Sequence, residues 1–286
     1  MSLMRASIKI CSRLQTSLRG DTLWGHIACG IANHEGNEGV VTFCQMNPPF
    51  IISSAFPHGM LPKPLLPLEE RAEEFKSKQE YTEFKQSKKL KYCNASDYLD
   101  MDSCEIKEQG FVLGTSTHVS ISRDTGAALD EMLFCGNNSW PVNGSIVMDI
   151  YICSNLAIER IKELLFWGFE FGYGTDVSTG AGKITLLDEI QEVSQRKTKH
   201  GRYLALGPFV SDELLSDLRA STFVRKGKIG GTLASELAPY KKSVIMYEEG
   251  ATFLKDCQRE YVGKLLHNMH VTKKYDICHS AFAPVI

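Results

Sequence analysis

Gly172-Tyr173-Gly174-Thr175-Asp176-Val177-Ser178-Thr179-Gly180-Ala181-Gly182-Lys183 packs four glycines and three short hydroxyl side chains into one loop. An apolar pattern at helical spacing precedes it over residues 156–171. A strand-like run, Ile184, Thr185, Leu186 and Leu187, follows it. Glycine loops of Rossmann folds and P-loops run the other way, leaving a strand and opening a helix. Ile184 also stands where a Mg²⁺-binding Ser or Thr should follow the lysine of a P-loop, and Val177 stands where its leading glycine should be. Those two departures argue against a nucleotide-using kinase or synthase. A glycine loop after a helix can still wrap an anion, because successive backbone N–H groups converge and no Cβ blocks close approach. The plainer alternative is a helix C-cap followed by a turn, which accounts for one or two of the glycines.

Outward from the loop, the pattern is strand, helix, hairpin-like insert, strand, helix, glycine loop, strand. Residues 5–14 alternate as a strand, with Ile8 and Ile10 on one face and Lys9 and Arg13 on the other. Asp21 is a suitable N-cap for a helix carrying Leu23, Trp24, Ile27, Ala28 and Ile31. Six prolines between residues 43 and 68 argue against a regular element there. Residues 69–91 carry mixed charge and read as an insertion. Val119, Ile121, Met132 and Phe134 suggest two strands joined at Arg123-Asp124-Thr125-Gly126. Ile146, Met148, Ile150 and Ile152 alternate as a clear strand. This β-α-β-β-α-β order is the split ferredoxin-like arrangement. A shorter second round follows residue 191: strands at 203–206, 222–224 and 244–247, a helix at 211–218 capped by Ser211 or Asp212, and a closing segment at 282–286. The expectation is an α+β chain of two ferredoxin-like domains. The first spans 1–190, with insertions over about 43–140, and a reduced second one spans 191–286.

With 286 residues, 43% apolar and 23% charged, the chain has the composition of a water-soluble globular protein. A formal net charge of −2 gives no global field for nucleic acid, so any such surface is a local patch. The candidates are Lys85, Lys88, Lys89 and Lys91; Arg196, Lys197, Lys199 and Arg202; and Arg225, Lys226 and Lys228. Each is more often a solvated face. Nine cysteines lack any C-x-x-C pair, and the first 18 residues lack the apolar core of a signal peptide. A reducing cytoplasm is the expected location, with no membrane span. His267, His270, Cys278 and His279 cluster in sequence but match no zinc spacing, so neither metal nor cofactor is expected.

Several motifs resemble the RAMP superfamily of CRISPR proteins. They are Arg19-Gly20-Asp21-Thr22-Leu23-Trp24-Gly25, Ser122-Arg123-Asp124-Thr125-Gly126 before Leu133-Phe134, the 172–183 loop, Glu248-Glu249-Gly250-Ala251-Thr252-Phe253 and Ala283-Pro284-Val285-Ile286. Ser53-Ser54-Ala55-Phe56-Pro57 followed by Leu61-Pro62-Lys63-Pro64 is the more specific sign, similar to the fourth-subunit family of the type III-A (Csm) interference complex. One departure stands out: a basic residue usual before the loop serine is absent, and Thr175, Asp176 and Val177 occupy those positions. The resemblance implies a non-catalytic RNA-binding subunit that holds the 5′ repeat-derived tag of the crRNA. Its implied neighbours are the large polymerase-like signalling subunit and the adjacent backbone RAMP subunit. It also implies an inserted thumb hairpin, for which residues 119–134 are the candidate.

RNA retention needs phosphate neutralisation and stacking. The expected RNA-binding residues are Arg19, Ser54, Lys63, Arg123, Gly172, Gly174, Ser178, Gly180, Gly182 and Lys183, with the four glycines offering backbone N–H groups to phosphates. Phe56 is either a stacking platform or a core anchor, with the core favoured. No catalytic residue is expected. The alternative is a metal-independent RAMP endoribonuclease that processes repeat RNA with His26 near the first helix. No second acid–base residue stands out for it; His26 and His118 read more simply as packed or surface histidines.

Overall fold

The computed structural model describes residues 1–66, 77–79, 81–82, 85, 91–95, 110–193, 201–211, 214–231, 233, 238–254, 260–272 and 274–286. Most of the mixed-charge insertion, with Lys88 and Lys89, and the run with Arg196, Lys197 and Lys199 lie outside the described residues. The first half contains β1 (Ser2–Ile10), α1 (Gly20–Cys44), the short strands β2 (Ile51–Ile52), β3 (Phe56–Pro57), β4 (Met60–Pro62) and β5 (Tyr92–Asn94), then the long strands β6 (Phe111–Ile121) and β7 (Ala128–Pro141). β8 (Ile146–Ser154), α2 (Ile158–Phe169) and β9 (Ile184–Glu192) follow. The remainder is β10 (Arg202–Leu204), β11 (Ser216–Arg219), β12 (Thr222–Arg225), β13 (Val244–Tyr247), β14 (Thr252–Leu254), β15 (Tyr261–Leu266) and β16 (His279–Pro284). No described helix is long and apolar enough to cross a membrane.

The main sheet has the order β2-β8-β1-β9, with β3 also on β8 and every pairing antiparallel. Strand side chains alternate between faces, and both faces here are covered. Met4, Ala6, Ile8 and Ile10 of β1 and Met148, Ile150 and Ile152 of β8 pack with α1 and α2. Leu3, Tyr151 and Cys153 point the other way, onto Leu204, Leu206 and Ile286 from the C-terminal half. The helices meet closely where Gly30 lies against the Trp167 backbone, since a Cβ there would stand 2.6 Å from the carbonyl. Phe56 is buried in the second cluster, as its core reading expected. A third cluster, around Phe209, Phe253, Val262 and Val285, fills the C-terminal half.

Three sequence expectations change. β1 stops at Ile10 rather than residue 14, because the Cys11 amide turns to the Lys183 carbonyl and the chain then runs along the glycine loop. The proline-rich stretch does form strands, each only two or three residues long, with β2 and β3 laid on β8. The helix expected over 211–218 does not appear among the described residues: 216–219 are β11, paired to β14. Arg202, 3% exposed, explains this, since it donates to both the carboxylate and the backbone oxygen of Asp217 and holds that residue left-handed (φ 47°), at a break in the β11–β14 register that no helix would admit. Asp212 lies outside the described residues.

The hairpin expected over 119–134 is longer than the sequence suggested. β6 and β7 pair from Phe111↔Pro141 to Ile121↔Ala128, and Ser122 and Gly126 close the bend. Leu133 and Phe134 are more than half exposed, as is Ile121.

Candidate nucleic-acid interface

The glycine loop is a closed structure built on one buried aromatic ring. Past α2, Tyr173 turns inward to 1% exposure, its hydroxyl donating to the Ser17 carbonyl at 2.7 Å and its amide to the Gly182 carbonyl at 2.9 Å. The loop's return leg is tied to the segment after β1. Gly182 donates to the Arg13 carbonyl, and the Lys183 amide to Ser12 Oγ at 2.8 Å. Gly172 and Gly180 donate to the carbonyls of Phe169 and Val177, and Gly174 donates to His26 Nε2 at 3.1 Å. The amides of Gly172, Gly174, Gly180 and Gly182 are therefore already used inside the protein. The glycines shape the loop rather than offer their own N–H groups to phosphate.

Three successive amides are differently placed. Asp176 is left-handed (φ 60°, ψ 25°) and opens a short 3₁₀ turn, Val177–Thr179. Among the described residues no acceptor meets the amides of Asp176, Val177 and Ser178. A left-handed residue followed by right-handed ones directs consecutive N–H groups to one point, the geometry of an anion nest. Exposed Ser178 sits on this turn, and Arg13 reaches Thr179 Oγ1 at 2.7 Å beside it.

Asp176 next to an anion site would weaken it if its carboxylate faced the same way. Gln15 draws that carboxylate aside, donating from Nε2 to Oδ2 at 2.6 Å, and His118 Nε2 of the hairpin stands 3.7 Å from the same oxygen. Gln15 also accepts from Thr175 Oγ1, and Thr16 Oγ1 accepts the Thr175 amide. The outer half of the hairpin is thereby joined to the loop. His118 stacks on Phe134 with centroids 5.2 Å apart, and Ser116 and Asn138 continue the polar chain down the ribbon.

His26 occupies the back of the loop. Its ring lies 4.6 Å from that of Tyr173, and its Nε2 lone pair is committed to the Gly174 amide. Burial pushes its pKa down to about 4. His279 is lowered to about 4 as well, by burial first and then by Lys241. A folded pKa below the unfolded value of about 6.5 means that the unfolded chain binds more protons as pH falls. The resulting stability is present above pH 6.5 and drains away as pH falls through 4. The melting temperature is expected to fall between pH 7 and pH 4.5. His26→Gln, which keeps an acceptor but does not titrate, should reduce that fall; an unchanged pH profile would disprove the assignment.

The other expected residues are dispersed. Ser54 is 2% exposed and its Oγ accepts the Gly20 amide, so it completes the N-terminus of α1 rather than facing solvent. Arg19 lies 4.1 Å over the Phe223 ring and pairs with Glu248 at 3.2 Å, at the entry to α1. The Lys63 backbone sits against the turn at Gly250. Arg123 is exposed at the tip of the hairpin, two residues past the end of β6. The loop thus brings together Ser178, Lys183, Arg13, Gln15, Thr16 and His118. Arg13 and Gln15 carried no motif that could have singled them out. Their role follows from β1 ending early and running past the loop.

No family model and no curated protein sequence matches the chain. Solved structures do match. A chain of a Csm1-Csm4 cassette in complex with AMPPNP aligns at a TM-score of 0.65 and 17% identity, covering 99% of this chain and 97% of that one. The same cassette in complex with cA4 aligns at 0.64 and 17%, covering 98% and 96%. A Csm3-Csm4 subcomplex of the type III-A CRISPR-Cas interference complex aligns at 0.56 and 13%, covering 98% and 99%. Csm4 is the component common to these three assemblies, and the chain shares the fold of the chains it aligns with in them.

Proposed function

We propose that this chain is a non-catalytic RNA-binding subunit of a type III-A CRISPR effector complex, holding the 5′ repeat-derived tag of the crRNA. The observation that carries the reading is end-to-end fold likeness to chains assembled with Csm1 in one set and Csm3 in another. That likeness supports two docking faces, one for the large polymerase-like signalling subunit and one for the neighbouring backbone RAMP subunit. In this reading residues 1–190 form a ferredoxin-like domain and 191–286 a reduced second one, with the β6–β7 hairpin as a thumb. Phosphate would be held at the amides of Asp176, Val177 and Ser178, with the Ser178 hydroxyl, Arg13 and Lys183 assisting. Arg19, Lys63 and Arg123 would extend contact along the strand, Arg123 from the thumb's tip. The cytoplasm is the location that fits an RNA-guided complex.

The rival reading, a repeat-cutting nuclease, relies on His26. A general base must reach the proton it removes, and the lone pair of His26 is directed at a loop amide instead. Incubation with tag-bearing repeat RNA in EDTA separates the two. Binding without cleavage is expected, with log K falling against log salt by about 0.7 per phosphate neutralised. Site-specific cleavage lost in His26→Ala would establish the nuclease instead.

A further inference from the structure

The four residues grouped by sequence, His267, His270, Cys278 and His279, separate in the fold. His270 has both ring nitrogens occupied, by the Ala238 carbonyl and the Thr272 amide, and His279 is buried 3.6 Å from Asp21. His267 and Cys278 remain together at the neck of a loop that follows β15, closed by the Met269 amide on the Ile277 carbonyl at 2.8 Å. Asp276 joins them. His267 Nδ1 is 2.7 Å from Asp276 Oδ2 and 3.5 Å from Cys278 Sγ, and the three ligand atoms lie within 4.8 Å of one another. Asp276 Oδ1 accepts the Asn268 amide at 2.7 Å, which fixes the carboxylate. A further thiol arrives from a distant part of the chain: Cys44, the last residue of α1, interacts with Cys278 from outside that group of three.

We propose that His267, Asp276 and Cys278 form a binding site for a borderline-soft divalent cation such as Zn²⁺, with Cys44 drawn in as the fourth ligand on binding, fastening the end of α1 to the β15–β16 neck. Two sulfurs, one imidazole nitrogen and one carboxylate are a donor set suited to tetrahedral zinc, and oxygen-seeking Mg²⁺ or Ca²⁺ would not choose it. Metal–ligand bonds of about 2.0–2.3 Å place neighbouring donors about 3.4–3.8 Å apart in a tetrahedron. The His267–Cys278 spacing already meets this. The shorter His267–Asp276 pair shares a proton that the cation would replace, and opening it needs only a small side-chain rotation at two exposed residues. Asn268 keeps its hold on the other carboxylate oxygen, the kind of outer partner that orients a ligand. Binding releases protons from the thiols and the imidazole, so affinity should rise with pH.

The test uses the full chain, stripped with a chelator under reducing conditions and titrated with Co²⁺ and then Zn²⁺. One ion per chain is expected, with a sulfur-to-cobalt charge-transfer band, Zn²⁺ displacing Co²⁺, and a higher melting temperature in the loaded form. Cys44→Ser and Cys278→Ser should each weaken binding by roughly 100-fold or more, exceeding the 10–100-fold carried by outer partners. His267→Ala, at an exposed position, provides a variant whose fold is not at stake. Absence of stoichiometric uptake, absence of the thiolate band, or equal uptake by Cys44→Ser/Cys278→Ser would overturn the proposal.

Discussion

Gly180→Asp is expected to abolish retention of guide RNA while the isolated chain stays folded. Gly180 has a positive φ of 83°, and nothing lies within 4 Å of where its Cβ would be. Aspartate tolerates the left-handed region better than most residues, so the strain is about 1 kcal/mol. The added carboxylate would stand beside the amides that the proposed grip uses. Like charges about 4 Å apart repel by about 1 kcal/mol in water and about 4 kcal/mol near a protein surface. That range corresponds to roughly 5-fold to several-hundred-fold in affinity. Copurification of RNA with the reconstituted complex, and anisotropy with labelled tag RNA, would measure it. Gly180→Ala carries at least as much backbone strain without the charge and should retain RNA. Full guide occupancy in the aspartate variant would remove the phosphate site from this loop.

Gly182→Ala, two residues away, should instead damage the fold. Its φ is 72°, and an added Cβ would fall 2.0 Å from the Tyr173 carbonyl oxygen, closer than non-bonded carbon and oxygen can approach. Backbone strain of about 1–2 kcal/mol and overpacking of about 1–3 kcal/mol together suggest a loss of roughly 3 kcal/mol. A fall in melting temperature on the order of 10 °C follows, readable by circular dichroism. The Tyr173 amide bond to Gly182 would open first, withdrawing the ring that supports His26 and Gly174. An alanine variant that melts with the wild type would show that the loop closes differently. The contrast between two glycines of one motif separates a residue that shapes the loop from one that leaves room for a ligand.

Periodicity made the main sheet legible. Ile8 and Ile10, and Ile146 to Ile152, alternate because one side of each strand must meet the helices, and those residues do so. The helix before the glycine loop followed from the same logic, with ends that differ by two residues. Reading failed where a distant group decided the backbone. Residues 211–218 hold Leu214, Leu215 and Leu218, a plausible helical face, yet Arg202 fixes Asp217 and the strand wins. Leu214 is left 99% exposed. Ser54 resembled a binding residue because its motif is exact, but its hydroxyl is spent on the Gly20 amide 34 positions away. The loop's glycines identified a tight turn and said nothing about which amides would be left over. That depended on the carbonyls of Arg13, Phe169 and Val177 arriving to take the rest.

From the amino-acid order alone came β1, β8 and β9 of the main sheet, the two helices, the hairpin and the turn at 172–183, since spacing of apolar residues and glycine placement are local properties. Tertiary packing decided the remainder: that β2 and β3 of the proline-rich stretch lie on β8, which donors face outward, where Asp176 points, and that His267 and Asp276 come together. Those outcomes rest on hydrogen bonds and burial between segments separated in sequence, whose energies no short window of residues contains.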